Sequence, residues 1–229
     1  MNRSRSTSAE QAVNEREDML PLETEHGGRR FPGFDVDAHA DDWDAATRSV
    51  VLGRLGLLPA VRFFTEPEEA TATALFDQLL YQRAEPRVPI VQLVDTRLAE
   101  GQTDGWHFAD MPVDGEAWRL SLAALDEDAE AAHAKTFAEC DWDQQSALLS
   151  AVQDAGTDRW HGMIAAHLWG LWTRYACTAF YSHPWAWNEI GFDGPAYPRG
   201  YKNLGVGKLE GFEVRDAHPT DDPVAGGPR

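Results

Sequence analysis

The stretch that decides the fold is Asp158 to Tyr181, "DRWHGMIAAHLWGLWTRYACTAFY". Apolar side chains recur through it at steps of three and four residues, which is the spacing of one face of an α-helix. Further apolar residues widen this stripe, and a helix that is apolar on several faces is typical of a helical core. The stretch therefore predicts a long central helix, with Trp160, Leu168 and Trp172 buried on it.

Shorter amphipathic segments precede this helix and carry the signals that begin and end helices. Thr65 with Glu68, and Asp141 with Gln144, have the spacing of a capping box. Gly101 has the position of a C-terminal cap. Alternation of apolar and polar residues, which would indicate strands, is nowhere sustained. We therefore expect an all-α fold, a bundle of five to six helices in which the long central helix comes last.

The two ends of the chain differ in composition from this helical part. Residues 1–40 are polar and charged and lack periodic apolar positions, which predicts a disordered or loosely attached N-terminal tail. Residues 41–181 are the predicted helical domain. Residues 182–229 are predicted to form an extended C-terminal arm and polar tail, because proline and glycine interrupt every regular element there.

Charge and hydropathy exclude two classes of partner. The 229 residues carry a formal charge of -18, from 38 acidic against 20 basic side chains. A chain this acidic repels phosphates, so we expect no nucleic acid partner. No apolar run approaches the roughly 20 residues that span a bilayer, so we expect no direct membrane insertion.

The pair Arg29-Arg30 has the form of a twin-arginine export signal. It is followed by "FPGFDVDAHADDWD", which places acidic residues where an export signal has an apolar segment. We therefore expect a cytoplasmic location. The alternative is a periplasmic or extracellular location, reached by export together with a partner that carries a signal.

The arm is the part of the sequence richest in aromatic side chains. Tyrosine, tryptophan and arginine dominate protein interfaces, so the arm is predicted to lie on another protein. The candidate partner-binding residues are Trp185, Trp187, Phe192, Pro195, Tyr197, Arg199 and Tyr201. The alternative, that the rings pack within the chain, stays open and applies most to Trp185 and Trp187, which are nearest the central helix.

No pattern indicates a cofactor, a metal or a catalytic centre in this chain. His161 and His167 lie six positions apart on the predicted helix and so face different directions, which excludes chelation of one ion by this pair. "GFDGPAYPRG" lacks the spacing of a dinucleotide-binding turn. We therefore expect no catalytic, cofactor-binding or metal-binding residues.

Two other functions remain possible from the residues alone. The first is a self-contained enzyme, whose site would consist of His183, Glu189, Asp193 and Arg199. The second is a carbohydrate-binding module, because exposed tryptophan rings stack on sugars.

The sequence from about Phe63 to Phe212 resembles the gluconate 2-dehydrogenase subunit 3 family. The segments that carry the resemblance are "FFTEPEEATATALFDQLL", "IVQLVDTRLAEG", "AALDEDAEAAHAKTFAECDWDQQSALL" and "YACTAFYSHPWAWNEIGFDGPAYPRGY". The last is the most specific: Phe180-Tyr181-Ser182 and Gly191-Phe192-Asp193-Gly194-Pro195 match the end of the family's long helix and the turn that follows it.

The resemblance implies a non-catalytic small subunit that binds, stabilises or matures a flavin-dependent sugar or alcohol oxidoreductase. Its partner would be a large flavoprotein subunit of the glucose-methanol-choline type, which holds FAD, and a cytochrome c subunit often accepts the electrons. The chain would be inactive alone, with no cofactor of its own and FAD in the partner subunit.

Overall fold

The computed structural model describes residues 30–56 and 58–220, which belong to two compact units. The helical unit consists of residues 58–84 and 89–180. The terminal unit contains, of the described residues, 30–56, 85–88 and 181–220. The predicted helical domain 41–181 therefore does not coincide with either unit, because its first helix belongs to the terminal unit.

The described residues are mainly helical, which confirms the all-α class. The α-helices are α1 (Ala45–Gly53), α2 (Glu66–Leu80), α3 (Ile90–Ala99), α4 (Asp114–His133), α5 (Trp142–Ala155), α6 (Ala165–Phe180) and α7 (Pro184–Ile190). Two 3-10 helices (Val36–Asp42 and Phe137–Glu139) and a two-stranded antiparallel sheet of β1 (Arg159–Trp160) and β2 (Met163–Ile164) complete the elements. None of the helices described is both long and apolar enough to cross a bilayer.

The predicted helix signals are present in the structure. The Thr65–Glu68 capping box begins α2, and the Asp141–Gln144 box begins α5. Gly101 follows the last turn of α3 with φ of +64° and donates its N–H to the carbonyl of Leu98. These caps satisfy backbone groups that would otherwise lack partners at helix ends.

The predicted long helix from Asp158 to Tyr181 is wrong at its beginning. Residues 159–164 form the β1–β2 hairpin, and α6 begins only at Ala165. His161 and Gly162, which connect the two strands, both have positive φ. A two-residue hairpin turn uses this conformation and an α-helix does not. The longest described helix is instead α4, with 20 residues.

The core of the helical unit is built around aromatic rings on α4 and α6. Trp118 and Trp172 are fully buried, and Trp160, also predicted to be buried, is only half-buried. The Trp118 ring meets Tyr175 edge-on at 5.7 Å. The indole N–H of Trp172 donates to the hydroxyl of Ser121 over 3.1 Å. This hydrogen bond satisfies a buried indole N–H and joins α6 to α4.

A buried carboxylate on α3 fixes the chain that leads into α2. The Asp95 side chain accepts the backbone N–H groups of Arg62 and Phe63 over 2.7 Å each and that of Phe64 over 2.9 Å. Three amide donors offset the loss of water around this carboxylate. The arrangement holds residues 62–64 in place just before the capping box.

The terminal unit has its own core, which includes part of the predicted tail. Val36, Trp43, Val51 and Trp187 form a buried apolar cluster. The side-chain carbonyl of Asn188 accepts the N–H of Val36 over 2.8 Å, so the first residue of the 3-10 helix is attached to α7. Residues 36–40, which the sequence places in the predicted tail, thus lie beside this core, and Phe34 packs against the same cluster. The predicted tail residues 1–29 lie outside the described residues.

The arm is not extended throughout. Its first part is α7, which begins with His183 as N-cap and Pro184 in the first turn and ends at Gly191 in the left-handed conformation. Proline at this position lacks only an N–H that has no helical partner, so it favours a helix start rather than excluding one. After Gly191 the chain has no further helix or strand up to residue 220.

Candidate partner-binding surface

The residues predicted to bind a partner divide into a buried and an exposed group. Trp187 is only 5% exposed and lies in the apolar cluster of the terminal unit. Its indole N–H donates to the carbonyl of Tyr181 over a short hydrogen bond of 2.6 Å. Trp185 is half-buried. For Trp187 the structure therefore supports packing within the chain.

Two glycines explain how the chain turns after α7. Gly191 and Gly194 have φ of +66° and +75°, a region that residues with a side chain rarely adopt. A Cβ at Gly191 would lie 2.5 Å from a carbon of the Phe31 ring, and a Cβ at Gly194 would lie 2.5 Å from a carbon of the Trp43 ring. The Gly-Phe-Asp-Gly-Pro turn thus brings backbone directly onto aromatic rings, and it does not form a phosphate-binding loop.

Arg199 is also engaged within the terminal unit. Its Nη1 lies 2.7 Å from Oδ2 of Asp193, and its Nη2 donates to the carbonyl of Asp193 over 3.0 Å. The guanidinium carbon lies 3.9 Å from the centre of the Phe212 ring, which it covers. Arg199 therefore ties two parts of the arm together, and its position does not support a role as an interface anchor.

The exposed group lies between Ile190 and Leu209. Tyr197 is 66% exposed and Leu204 is 79% exposed. Seven large apolar side chains from the end of α7 to residue 209 have more than a third of their surface in solvent: Ile190, Phe192, Tyr197, Tyr201, Leu204, Val206 and Leu209. Pro195 lies between them and is partly exposed. We call this set, with Pro195, the arm surface.

Sequence reasoning missed part of the arm surface. Leu204, Val206 and Leu209 are single apolar residues among glycines and lysines and form no periodic pattern. The local charge could have identified this part of the surface, because residues 195–209 contain Arg199, Lys202 and Lys208 but no acidic residue, although the chain as a whole is acidic. The arm surface is therefore apolar and locally basic.

The four residues of the alternative catalytic site do not form a catalytic arrangement. The ring of His183 is buried and uses both nitrogens on backbone groups: Nε2 lies 3.1 Å from the carbonyl oxygen of Arg54, and Nδ1 accepts the N–H of Trp185 over 3.2 Å. Burial lowers the pKa of His183 to about 4. This imidazole is neutral at pH 7 and has no free nitrogen with which to move a proton.

The surroundings of Glu189 and Asp193, the two acidic residues of that set, shift their pKa values. Burial raises the pKa of Glu189 to about 7. Burial also raises the pKa of Asp193, although the nearby charges of Arg199 and His39 oppose the change. The structure thus brings Asp193 and Arg199 together as an ion pair. Within residues 30–56 and 58–220, no group of three or more His, Cys, Asp or Glu side chains is placed to hold a metal ion.

The carbohydrate-binding alternative needs exposed indole rings. Among the tryptophans of the described residues, Trp106 alone is largely exposed. The guanidinium of Arg174 lies 4.7 Å from the centre of its ring and covers one face. An open row of rings on which a sugar chain could stack does not occur in the described part of the chain.

Comparison with known proteins supplies the family. Residues 66–194 match the family model described as "Gluconate 2-dehydrogenase subunit 3". The match extends from α2 to the second glycine of the Gly-Phe-Asp-Gly-Pro turn. No curated protein and no solved structure matches the chain significantly. Because the family model covers more than half of the 229 residues, the chain belongs to the gluconate 2-dehydrogenase subunit 3 family, and this membership implies a partner subunit in a dehydrogenase complex.

Proposed function

We propose that this chain is the non-catalytic small subunit that binds, stabilises or matures a large flavin-dependent sugar or alcohol oxidoreductase. The large subunit would be a flavoprotein of the glucose-methanol-choline type with FAD bound in it, and a cytochrome c subunit would accept its electrons. Family membership supports the small-subunit role. The observation that carries the proposal in this chain is the arm surface, with its seven exposed apolar side chains.

The apolar composition of the arm surface favours a protein partner. Monomeric proteins rarely expose large contiguous apolar patches, and those that occur mark interaction sites. The side chains of the arm surface follow one another within a segment of 20 residues, from Ile190 to Leu209. A protein that covers them would remove their apolar area from water, which is the main favourable term in association.

The charge of the arm indicates the complementary face. Lys202 and Lys208 are exposed, and no acidic side chain lies between Gly194 and Glu210. A partner face with apolar residues and a few carboxylates would suit this segment, because opposite charges speed encounter and disfavour wrong partners. The acidic remainder of the chain would repel such a face and so direct it to the arm.

The proposal is tested by measuring capture of the purified flavoprotein subunit. We expect the wild-type chain to be colourless alone and to co-elute with the yellow flavoprotein in gel filtration. Replacing Tyr197 by Ala and both Leu204 and Val206 by Ser removes three exposed anchors and leaves the core intact. This triple variant should bind the flavoprotein roughly a hundredfold more weakly, which corresponds to about 2.7 kcal/mol.

A matched control separates loss of the surface from a general effect of polar substitution. Val50 on α1 is an exposed apolar residue outside the arm, so Val50→Ser should leave both capture and thermal unfolding unchanged. Equal affinity of the triple variant and the wild type would exclude the arm surface as the binding site. Turnover of sugars or alcohols by the isolated chain would contradict the non-catalytic role.

A further inference from the structure

The helical unit contains a pocket that lies outside the arm. It is formed where the loop between α3 and α4 meets α6, and its volume is about 150 Å³. Its walls include Trp106, Phe108, Met111, His167, Gly170 and Arg174. All of these residues belong to the helical unit, so the pocket is complete within that unit.

The walls of the pocket are held by contacts between the lining residues. The Phe108 ring stacks on the His167 imidazole, with 3.7 Å between ring centres and 3° between ring planes. Nδ1 of His167 is 3.1 Å from Oδ1 of Asp110, which orients the imidazole. Trp106 meets Phe108 edge-on at 5.4 Å. The pocket therefore presents preformed aromatic walls.

Gly170 leaves one side of the pocket open. It lies in the interior of α6, where glycine is the least favourable residue apart from proline. A Cβ at this position would meet no atom within 4 Å, so packing does not demand glycine here. A larger residue would extend into the pocket, which gives a way to fill it without a clash.

The size of the pocket selects its occupant. Pockets for drug-sized ligands and cofactors have volumes of roughly 300–1,000 Å³, whereas an apolar cavity of about 150 Å³ holds a single benzene ring. The rim is apolar and open to solvent, because Trp106 is 53% and Phe108 is 40% exposed. An exposed apolar rim around a ring-sized hole is typical of a protein interface that receives one anchoring side chain.

The polar groups at the pocket indicate which type of side chain it would bind. Nε of Arg174 is buried and, in the described part of the chain, has no hydrogen-bond acceptor. An oxygen atom on the occupant would supply one, which favours tyrosine over phenylalanine. Residues 104–116, the end of the α3–α4 loop and the start of α4, contain four acidic residues and no lysine or arginine. Two of the four, Asp104 and Asp114, pair with Arg174. Basic residues beside the tyrosine would complement this charge.

We propose that the pocket receives a tyrosine side chain, flanked by basic residues, from the large subunit of the dehydrogenase complex. This inference rests on the proposed function and adds to the arm surface a second contact, located in the other unit. The tyrosine ring fills the cavity beside the touching rings of Trp106 and Phe108, and its hydroxyl oxygen accepts from Arg174.

Filling the pocket tests the proposal. Gly170→Leu should weaken capture of the purified flavoprotein subunit about thirtyfold, the change that corresponds to losing an anchor of about 2 kcal/mol. Thr178→Leu places the same leucine side chain at an exposed position of α6 outside the pocket and should leave the dissociation constant unchanged. Circular dichroism verifies that both variants are folded. With the isolated chain, p-cresol as a mimic of tyrosine should shift the NMR signals of the Trp106 indole saturably in the wild type and not in Gly170→Leu.

The outcomes separate this inference from the proposed function. If the wild-type chain and Gly170→Leu capture the flavoprotein equally, the pocket is not part of the interface, and the small-subunit role stands. If the wild type captures no flavoprotein, both proposals fail. If the chain alone forms dimers that Gly170→Leu abolishes, the occupant is a second copy of this chain, and the tyrosine of a large subunit is excluded.

Discussion

At the scale of single residues, His183 gives the terminal unit a dependence on acid. Burial lowers its pKa from 6.5 to about 4, so the folded state favours the neutral ring while the unfolded chain binds a proton from about pH 6.5 downward. The stabilisation is therefore complete above pH 6.5 and is lost as pH falls towards 4, by on the order of 3 kcal/mol. Thermal unfolding of the wild type between pH 8 and pH 4 should show this decline.

The variant His183→Asn isolates the contribution of the imidazole ring to this loss of stability in acid. Asparagine is a good N-cap but does not titrate, so the variant should be less stable at pH 7 and should lose less stability between pH 6.5 and pH 4. His107 is exposed, so His107→Asn should keep the profile of the wild type. If His183→Asn keeps the same acid slope, the buried imidazole is not its cause.

Single residues of the arm also show that the local sequence does not predict which rings are buried. Trp187 and Tyr197 have similar surroundings in the sequence, yet one is 5% and the other 66% exposed. The difference arises because Trp187 contacts Val36 and Trp43, which are separated from it by more than 140 positions along the chain. Local patterns identify an aromatic arm, but contacts between distant segments decide which of its rings are buried.

At the scale of secondary structure, α6 contributes one of the largest fully buried side chains of the helical unit. Trp172 is fully buried and hydrogen-bonded to Ser121, so Trp172→Ala removes a large apolar volume and leaves the hydroxyl without this donor. We expect a loss of about 3–5 kcal/mol in the free energy of unfolding. Urea denaturation followed by circular dichroism measures it.

Trp169 is the matched control for this substitution. Trp169 lies on the same helix but is only half-buried, so Trp169→Ala should lower the free energy of unfolding clearly less than Trp172→Ala. Comparable losses in the two variants would show that the core does not lie on the Trp172 side of α6.

The elements differ in how well the sequence predicts them. Helix starts with capping residues, such as Thr65 and Asp141, were predicted correctly because the side chain that begins the helix is itself the signal. The β1–β2 hairpin was not predicted, because the apolar spacing of α6 also extends through residues 159–164, which precede the helix. A turn of His161 and Gly162 interrupts the helix although the periodicity does not change.

At the scale of the whole molecule, charge dominates behaviour in solution. A net charge of -18 creates repulsion within the folded chain that salt screens. Raising NaCl from 0.05 M to 0.5 M should therefore raise the melting temperature of the isolated chain by several degrees. KCl should act equally, because screening does not depend on the identity of the cation. A melting temperature that falls or stays constant would show that ion pairs within the chain outweigh the repulsion.

The distribution of lysine has a practical consequence for chemical labelling. The chain has three lysines, and two of them, Lys202 and Lys208, lie in the arm, while Lys135 follows the end of α4. Amine-reactive crosslinkers can therefore attach only at these three side chains and at the α-amino group. A crosslink that mass spectrometry assigns to Lys202 or Lys208 would identify, peptide by peptide, which surface of another protein had been lying against the arm.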